Sequence, residues 1–537
     1  MTTSFFMRCA VLFPLFYLVW SYLWFLKRST VFYPNGYLLF ATFLAAHTLI
    51  LSGSILVRGS NPKRVRYEVV GLLSFALLVT VPFAFMGSAF GQRDVASLLI
   101  SIQENQIGQL AEIGLEGFTP LIRYYLMHII LLLAAGWVVL WLVPAGTPTI
   151  LTMAVFLIGS SPGSHFVFSH FYPNPDHALI ADRLDKLAPR IIAAPEEQKN
   201  LVIIYLESLE RTYRDIPETK DAFAIFTELE NKGLSFTEIG QVAGTEHTIG
   251  GIVASQCGVP LVAKGIYNPR RKDPIYGHAL PKISQFMPKL TCLGDVLAQA
   301  GYQLSYINGS TLDLYAKGDF LRTHSFHSVR GLEDFEGWEN EPRTNVWGMN
   351  DDLLFERVTD ELIRMSKQDN PFVLAALTIA THGPEGYPDS TCPEPEMEPI
   401  IATAIACTGR LVTNLLEEIE RLGLSDDTLV VLQSDHLSMR NSVHQSLLER
   451  ESARRNFLTV LGTGENTIIE KQGSMVDVYP TLLELLGYQL KEGAAGIGQS
   501  LLSQRATFVE QSDLSTLSSA LSLNSDLKKS VWGENGN

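Results

Sequence analysis

Two short segments carry residue types that could do chemistry together: Asn200–Tyr213 (NLVIIYLESLERTY) and Val431–Leu437 (VLQSDHL). Each begins as a run of branched apolar residues and ends abruptly in acidic or metal-binding side chains. Strands buried inside a parallel α/β sheet read as such runs, and ligands sit just beyond their carboxyl ends. Glu207, Asp435 and His436 are therefore expected to meet at one sheet edge although they are far apart in the chain. Two carboxylates and an imidazole suit a hard-to-borderline divalent cation. Taken as isolated residues, the same groups could be a surface carboxylate and a hydrogen-bonded core histidine.

A nucleophile would have to come from elsewhere. Thr248 lies in Gly244–Gly251 (GTEHTIGG), a small-residue turn leading into Ile252–Cys257. A threonine there can be a helix cap worth about 1 kcal/mol. It can also be a nucleophile, if a cation lowers its pKa and the helix terminus stabilises the anion. The glycines would let a phosphoryl group approach the backbone. Glu246 and His247 beside it read as residues that shape the turn.

The elements that must position these groups follow from the pattern. Strands are expected at 200–206, 302–307, 371–379, 428–433 and 456–462, with helices at 222–232, 290–300, 351–366, 400–422 and 474–486. Strands alternating with helices of this length predict a mainly parallel sheet covered by helices on both faces. A linker with one helical piece (176–187) spans 171–199. After about Ser503 the chain turns Ser/Asn-rich, which predicts a loosely ordered tail over 504–537.

Residues 1–170 have a different composition. Five apolar stretches, Phe5–Leu26, Gly36–Val57, Val69–Phe90, Tyr124–Val143 and Thr149–Phe168, are long enough to cross a bilayer, which takes about 20 residues. Between the third and fourth, 93–123 is too polar to cross and reads either as an interfacial helix or as a loop helix packed on the spans. The basic loop Arg58–Arg66 is expected to stay cytoplasmic, with the amino terminus inside and the large domain outside. Lys27 and Arg28 pull the other way. The net charge of -15 argues against a nucleic-acid partner. Of five cysteines, Cys9 lies in an apolar run; the other four suit two disulfides in an exported domain, or else buried free thiols. Spacing does not fix their connectivity; the local choices are Cys257 with Cys292 and Cys392 with Cys407.

NLVIIYLESLERTY, the GTEHT turn followed by ASQCGVPL, THGP at Thr381–Pro384, SDHL, and VDVYPTLLELLG together resemble the phosphoglycerol transferase branch of the alkaline-phosphatase/sulfatase superfamily. More narrowly they are similar to the phosphoglycerol transferases of osmoregulated periplasmic glucans. Lipoteichoic acid synthases and lipid A phosphoethanolamine transferases are cousins with five spans and an outward catalytic domain. The resemblance covers about 200–502 by motif, and the membrane half by layout alone.

It implies an alkaline-phosphatase-like domain over 200–503 with Glu207, Asp435 and His436 as metal ligands and Thr248 as nucleophile and fourth ligand. His382 would contact the phosphoryl or leaving group, and Lys317 would stand where the synthases hold phosphate with arginine. Lysine keeps that charge but not the bidentate fork. Asn308 replaces a histidine of those enzymes. The resemblance further implies one divalent ion (Mn²⁺ or Mg²⁺, with Zn²⁺ compatible with the ligand set), a phosphatidylglycerol donor and a glycan or glycolipid acceptor at the bacterial inner membrane. Three rivals use the same features: phosphoethanolamine transfer to lipid A, a phosphodiesterase or sulfatase-type hydrolase, and a membrane-anchored binding protein on an inactive fold. Cys257 is followed by Gly258, Val259 and Pro260, not the Cys/Ser-x-Pro-x-Arg pattern that sulfatases use to make formylglycine.

Overall fold

A computed structural model of the protein describes residues 174–533, apart from 263–284, 313–315, 390, 393–396 and 440. The five expected membrane spans, the polar stretch between them and Cys9 lie outside the described residues. Among those described, one helix, Ile400–Arg421, is long and apolar enough to cross a bilayer; 67% of its most apolar window is buried inside the protein, which marks it as a core helix.

Eight strands form the main sheet: β1 (Asn200–Leu206), β2 (Leu234–Phe236), β3 (Gln303–Asn308), β4 (Ser328–Arg330), β5 (Phe372–Leu377), β6 (Thr428–Ser434), β7 (Leu458–Leu461) and β8 (Thr467–Ile469). Their order is β8-β2-β7-β6-β1-β5-β3-β4. β7 runs antiparallel to both its neighbours, and every other pairing in the sheet is parallel. The sheet is thus mixed but mainly parallel, as the alternation of strands and helices predicts.

The principal helices are α1 (Ala224–Lys232), α2 (Thr248–Cys257), α3 (Leu293–Gln299), α4 (Lys317–Thr323), α5 (Asp351–Met365), α6 (Ile400–Arg421), α7 (Val478–Leu485), α8 (Phe508–Gln511), α9 (Leu514–Leu521) and α10 (Ser525–Trp532). They cover both faces, and β1 shows how. Leu201, Ile203 and Tyr205 point into a core shared with α2, α3, α7, α9 and α10. Val202, Ile204 and Leu206 point into the opposite core with α1, α5 and α6. A strand alternates its side chains between faces, so a strand buried on both sides must be apolar at every position. That is why 200–206 reads as an unbroken run.

The tail departs from expectation. Residues 504–533 form three short helices whose Leu517, Leu521, Leu527 and Val531 join the first core. Three polar residues of the tail are helix caps: Thr507 accepts the Glu510 amide, Asp513 the Thr516 amide, and Asn524 the amides of Asp526 and Leu527. The expected linker is also partly folded onto the domain. A 3-10 turn (Pro175–Ile180) leads into a helix at Ala181–Leu184, Ile180 and Leu187 enter the first core, and Ile191–Ala193 pairs with Gln489–Leu490. Disulfides join Cys257 to Cys292 and Cys392 to Cys407, the first linking the end of α2 to the start of α3.

Leu527 is fully buried. Leu527→Ala is expected to lower the unfolding free energy by about 2–5 kcal/mol, the range for a truncated core leucine. Chemical denaturation followed by circular dichroism measures it, and an unchanged midpoint would mean that the tail does not belong to the core.

Candidate active site

Parallel register brings the site together. Ser434 pairs with Leu206, and Tyr205 with Leu377, so β6, β1 and β5 end side by side. The next residues on each strand are therefore neighbours: Asp435 and His436 after β6, Glu207 after β1, and Thr378 after β5. Candidate ligand atoms of Glu207, Asp435 and His436 lie within 4.8 Å of one another. All three residues are buried, Asp435 and His436 at 0% exposure.

The backbone holds each candidate ligand. Thr378 Oγ1 accepts the Glu207 amide at 3.0 Å, and Thr381 Oγ1 donates to the Glu207 carbonyl. Ser208 takes a left-handed conformation (φ 52°), which a non-glycine residue adopts only at a cost. In it, the Ser208 amide donates to Asp435 Oδ1 at 2.8 Å and its hydroxyl to Glu207 Oε1 at 2.7 Å. The His436 amide also donates to Asp435 Oδ1, at 2.8 Å. Both hydrogen bonds from backbone amides fall on one oxygen, leaving Asp435 Oδ2 buried with no hydrogen-bond partner. His436 Nδ1 donates to the Leu437 carbonyl at 2.8 Å, which turns Nε2 inward, where it too lacks a hydrogen bond. Nε2 stands 3.4 Å from Glu207 Oε1 and 3.4 Å from Asp435 Oδ2.

A carboxylate oxygen and an imidazole nitrogen, both buried and otherwise unused beside a second carboxylate, form a donor set that fits a divalent cation. The charges agree. Burial pushes the His436 imidazole down, but Asp435 and Glu207 outweigh it and raise it to about 9. Burial and the neighbouring Glu207 charge push Asp435 up. Glu207 is held below the carboxylate range because the imidazoles of His382 and His436 outweigh its burial. These shifts favour protons on His436 and Asp435, which a bound cation would displace.

Thr248 is the first residue of α2, and the helix starts without a side-chain cap. Its hydroxyl donates to Glu207 Oε2 at 3.2 Å. The cap reading therefore fails, and the hydroxyl points at the ligand cluster. Close backbone contact fixes this: a Cβ on Gly251 would stand 1.6 Å from the Asp435 carbonyl oxygen, so only glycine lets α2 rest on the β6 end. Glu246 Oε2 accepts the Gly244 amide at 2.7 Å and shapes the turn. Burial and the neighbouring His436 charge lower His247 to about 3, so it is neutral.

On the β5 side, His382 Nδ1 donates to the Gly383 carbonyl at 2.8 Å and Nε2 faces Glu207 Oε1 at 4.0 Å. Its pKa is lowered, by burial first. Trp347 stacks on the ring with centroids 3.8 Å apart. Asp351 holds the same loop by accepting the amides of Ile379 and Ala380. The His382 side chain is 20% exposed against 3% for Glu207, so the site opens beside His382. Lys317, buried at the start of α4, adds its charge to the lowering of His382. Asn308 is a loop fastener: Oδ1 accepts the Ser310 amide and Nδ2 donates to the Thr311 carbonyl. The four cysteines, all in disulfides, contribute no ligand.

Sequence reasoning missed Ser208, Thr378, Thr381, Trp347 and Asp351. The first three act on the backbone or a carboxylate of the ligand residues, a role shared by serines and threonines throughout the chain. The Trp347 and Asp351 contacts depend on tertiary packing.

The sulfatase family model matches residues 199–488, just over half of the chain. The chain belongs to the sulfatase family. It is 33% identical over 317 residues to phosphoglycerol transferase I of Escherichia coli strain K12, covering 58% of this chain and 40% of that protein. The chain thus matches about two-fifths of the length of the curated relatives. Among solved structures it is similar to a protein in the alkaline phosphatase superfamily from Vibrio parahaemolyticus (21% identity, TM-score 0.45, 62% of this chain and 78% of that one). It is also similar to the lipoteichoic acid synthase LtaP from Listeria monocytogenes (16%, TM-score 0.45, 60% and 81%).

Because protons on His436 and Asp435 compete with a cation for this site, Mn²⁺ affinity is expected to fall as pH drops below about 9, with one or two protons released per ion. Calorimetry in buffers of different ionisation enthalpy measures both. Asp435→Asn should weaken binding further, and Mn²⁺ binding without proton release or pH dependence would contradict the assignment.

Proposed function

We propose that the protein is a membrane-anchored transferase that moves phosphoglycerol from phosphatidylglycerol to a hydroxyl of a cell-envelope glycan, a periplasmic glucan being the acceptor class its motifs resemble. The observation that carries this reading is the Thr248 hydroxyl, at a helix amino terminus and bonded to Glu207 within a cluster whose Asp435 Oδ2 and His436 Nε2 are unused. The 33% identity to phosphoglycerol transferase I supports phosphoglycerol as the group transferred.

Glu207, Asp435, His436 and Thr248 would hold one divalent ion, Mn²⁺ or Mg²⁺, with Zn²⁺ compatible with the same donors. Bound there, the ion would lower the pKa of the threonine hydroxyl and offset charge on the phosphoryl oxygens.

The chain's own groups then divide the work. Thr248 Oγ attacks phosphorus, the bond from phosphorus to the diacylglycerol oxygen breaks, and phosphoglycerol remains as an ester on Thr248. His382, neutral and reachable at the mouth of the site, relays the proton lost by Thr248 to the departing diacylglycerol oxygen. In the second step an acceptor hydroxyl attacks the same phosphorus, His382 relays its proton to Thr248 Oγ, and the bond from phosphorus to Thr248 Oγ breaks. The α2 amino terminus favours the developing negative charge. Lys317 supplies a further positive charge for the phosphodiester. The two disulfides suit an oxidising compartment, which supports an outward-facing domain beside the leaflet that supplies the donor.

Thr248→Ala is expected to cut turnover on the order of 10³-fold or more, as loss of a covalent nucleophile does, with an unchanged circular dichroism spectrum, since the hydroxyl caps nothing. The assay supplies head-group-labelled phosphatidylglycerol and a glucan acceptor. Label should appear on the glucan, with diacylglycerol released. Free glycerol phosphate formed in the presence of acceptor would make the protein a hydrolase. Transfer from phosphatidylethanolamine instead would move it to the lipid A branch, and near-normal turnover by folded Thr248→Ala would end the covalent scheme.

A further inference from the structure

The turn after β1 carries two buried glutamates three residues apart. Glu207 faces the ligand cluster. Glu210, at 0% exposure, is engaged by Arg454, whose own side chain is 9% exposed. Arg454 Nε lies 3.1 and 3.0 Å from the two Glu210 oxygens, and Nη2 lies 2.5 Å from Oε2.

The same two residues hold the loop that carries Asp435 and His436. Glu210 Oε2 accepts the Ser438 amide at 3.0 Å, and Arg454 Nη2 donates to the Ser438 carbonyl at 2.6 Å. One residue earlier, Gln241 Oε1 accepts the Leu437 amide at 2.7 Å. Asn441 Nδ2 adds bonds to Ser438 Oγ at 2.8 Å and to the Tyr213 hydroxyl at 2.7 Å. Backbone contacts run alongside: Glu210 bridges to Asn456, and the Arg211 amide donates to the Arg455 carbonyl at 2.9 Å.

A buried ion pair is weak evidence for stability, because desolvating both charges offsets most of their attraction. Its value here is geometric. Asp435 Oδ2 and His436 Nε2 are buried without hydrogen bonds, and a loop free to relax would turn such atoms towards water. The loop is fixed at the first two peptide units beyond His436, by side chains outside it. One of those side chains comes from the turn that carries the third ligand, Glu207.

We infer that Glu210 and Arg454 are positioning residues that preset the cation site, holding the 435–438 loop at the separation from Glu207 that an ion requires before any ion arrives. Neither residue is a ligand. The inference rests on the cation site proposed above and is independent of donor and acceptor. Partners of this kind typically cost 10–100-fold in metal affinity when altered.

The test uses the full-length protein in detergent, stripped of metal. Two quantities are read: Mn²⁺ affinity by calorimetry, and amide hydrogen exchange of the 435–441 segment in the metal-free state. Arg454→Lys keeps the charge and loses the fork. Gln241→Leu removes the acceptor of the Leu437 amide and leaves the ion pair intact. Arg330→Lys, at the separate Arg330–Glu361 pair (2.9 Å), is the control. Arg454→Lys is expected to weaken Mn²⁺ binding about 10–100-fold and to speed exchange of the segment. Gln241→Leu should move both in the same direction by less, and the control should move neither. Wild-type affinity in folded Arg454→Lys and Gln241→Leu overturns the inference, even if exchange is faster, because the contacts would then be structural only. Should Arg454→Lys not fold, Gln241→Leu decides alone: weaker binding supports the inference and unchanged binding overturns it. Failure of the unaltered protein to bind Mn²⁺ would sink the cation site and the inference together, whereas normal binding with no transfer activity would sink only the transferase reading.

Discussion

Two carboxylates and an imidazole share one water-poor spot at the end of a parallel sheet, and groups of that kind are costly to bury unless something offsets their charge. Much of the surrounding structure answers that cost. Asp435 Oδ1 takes two backbone amides, one from each strand end. Glu207 has its amide and carbonyl held by two threonines of the β5 loop. Ser208 accepts an unfavourable backbone conformation to make its two bonds. What these contacts leave unused are Asp435 Oδ2 and His436 Nε2, 3.4 Å apart, with the Glu207 carboxylate beside them.

The parts of this arrangement that the sequence discloses are those in which a residue type and its local setting coincide. Runs such as 200–206 and 428–434 must be strands buried on both faces, so the carboxylates and imidazole that end them are placed by β pairing alone. His382, after β5, is legible for the same reason once the THGP motif is matched. Thr248 stays open between two uses in the sequence because a threonine at a helix start looks the same whether its hydroxyl turns back to cap or forward to a ligand. Only the 3.2 Å bond to Glu207 and the uncapped helix start separate them.

The rest is hidden for different physical reasons. Glu210 and Arg454 are 244 positions apart and meet only through the fold, and Trp347 reaches His382 from a segment with no strand or helix signal of its own. The tail misleads because composition records how much Ser and Asn a segment has, not what they do. At 507–524 the polar Thr507, Asp513 and Asn524 satisfy helix amides, while Leu517, Leu521 and Leu527 bury themselves. The abundance of polar residues thus conceals a correctly spaced apolar stripe.

The contact at Gly251 has a further consequence. Helix α2 meets the end of β6 main chain against main chain, with no side chain between Gly251 and the Asp435 carbonyl. The span from the Thr248 hydroxyl to the ligand cluster is therefore set by two peptide backbones in contact, which do not shrink or swell when neighbouring side chains change. Substitutions that reshape the side chains around His382 and Trp347 would leave that reach unchanged. The reach of the hydroxyl is thus gauged by the backbone, and the opening beside His382 by side chains.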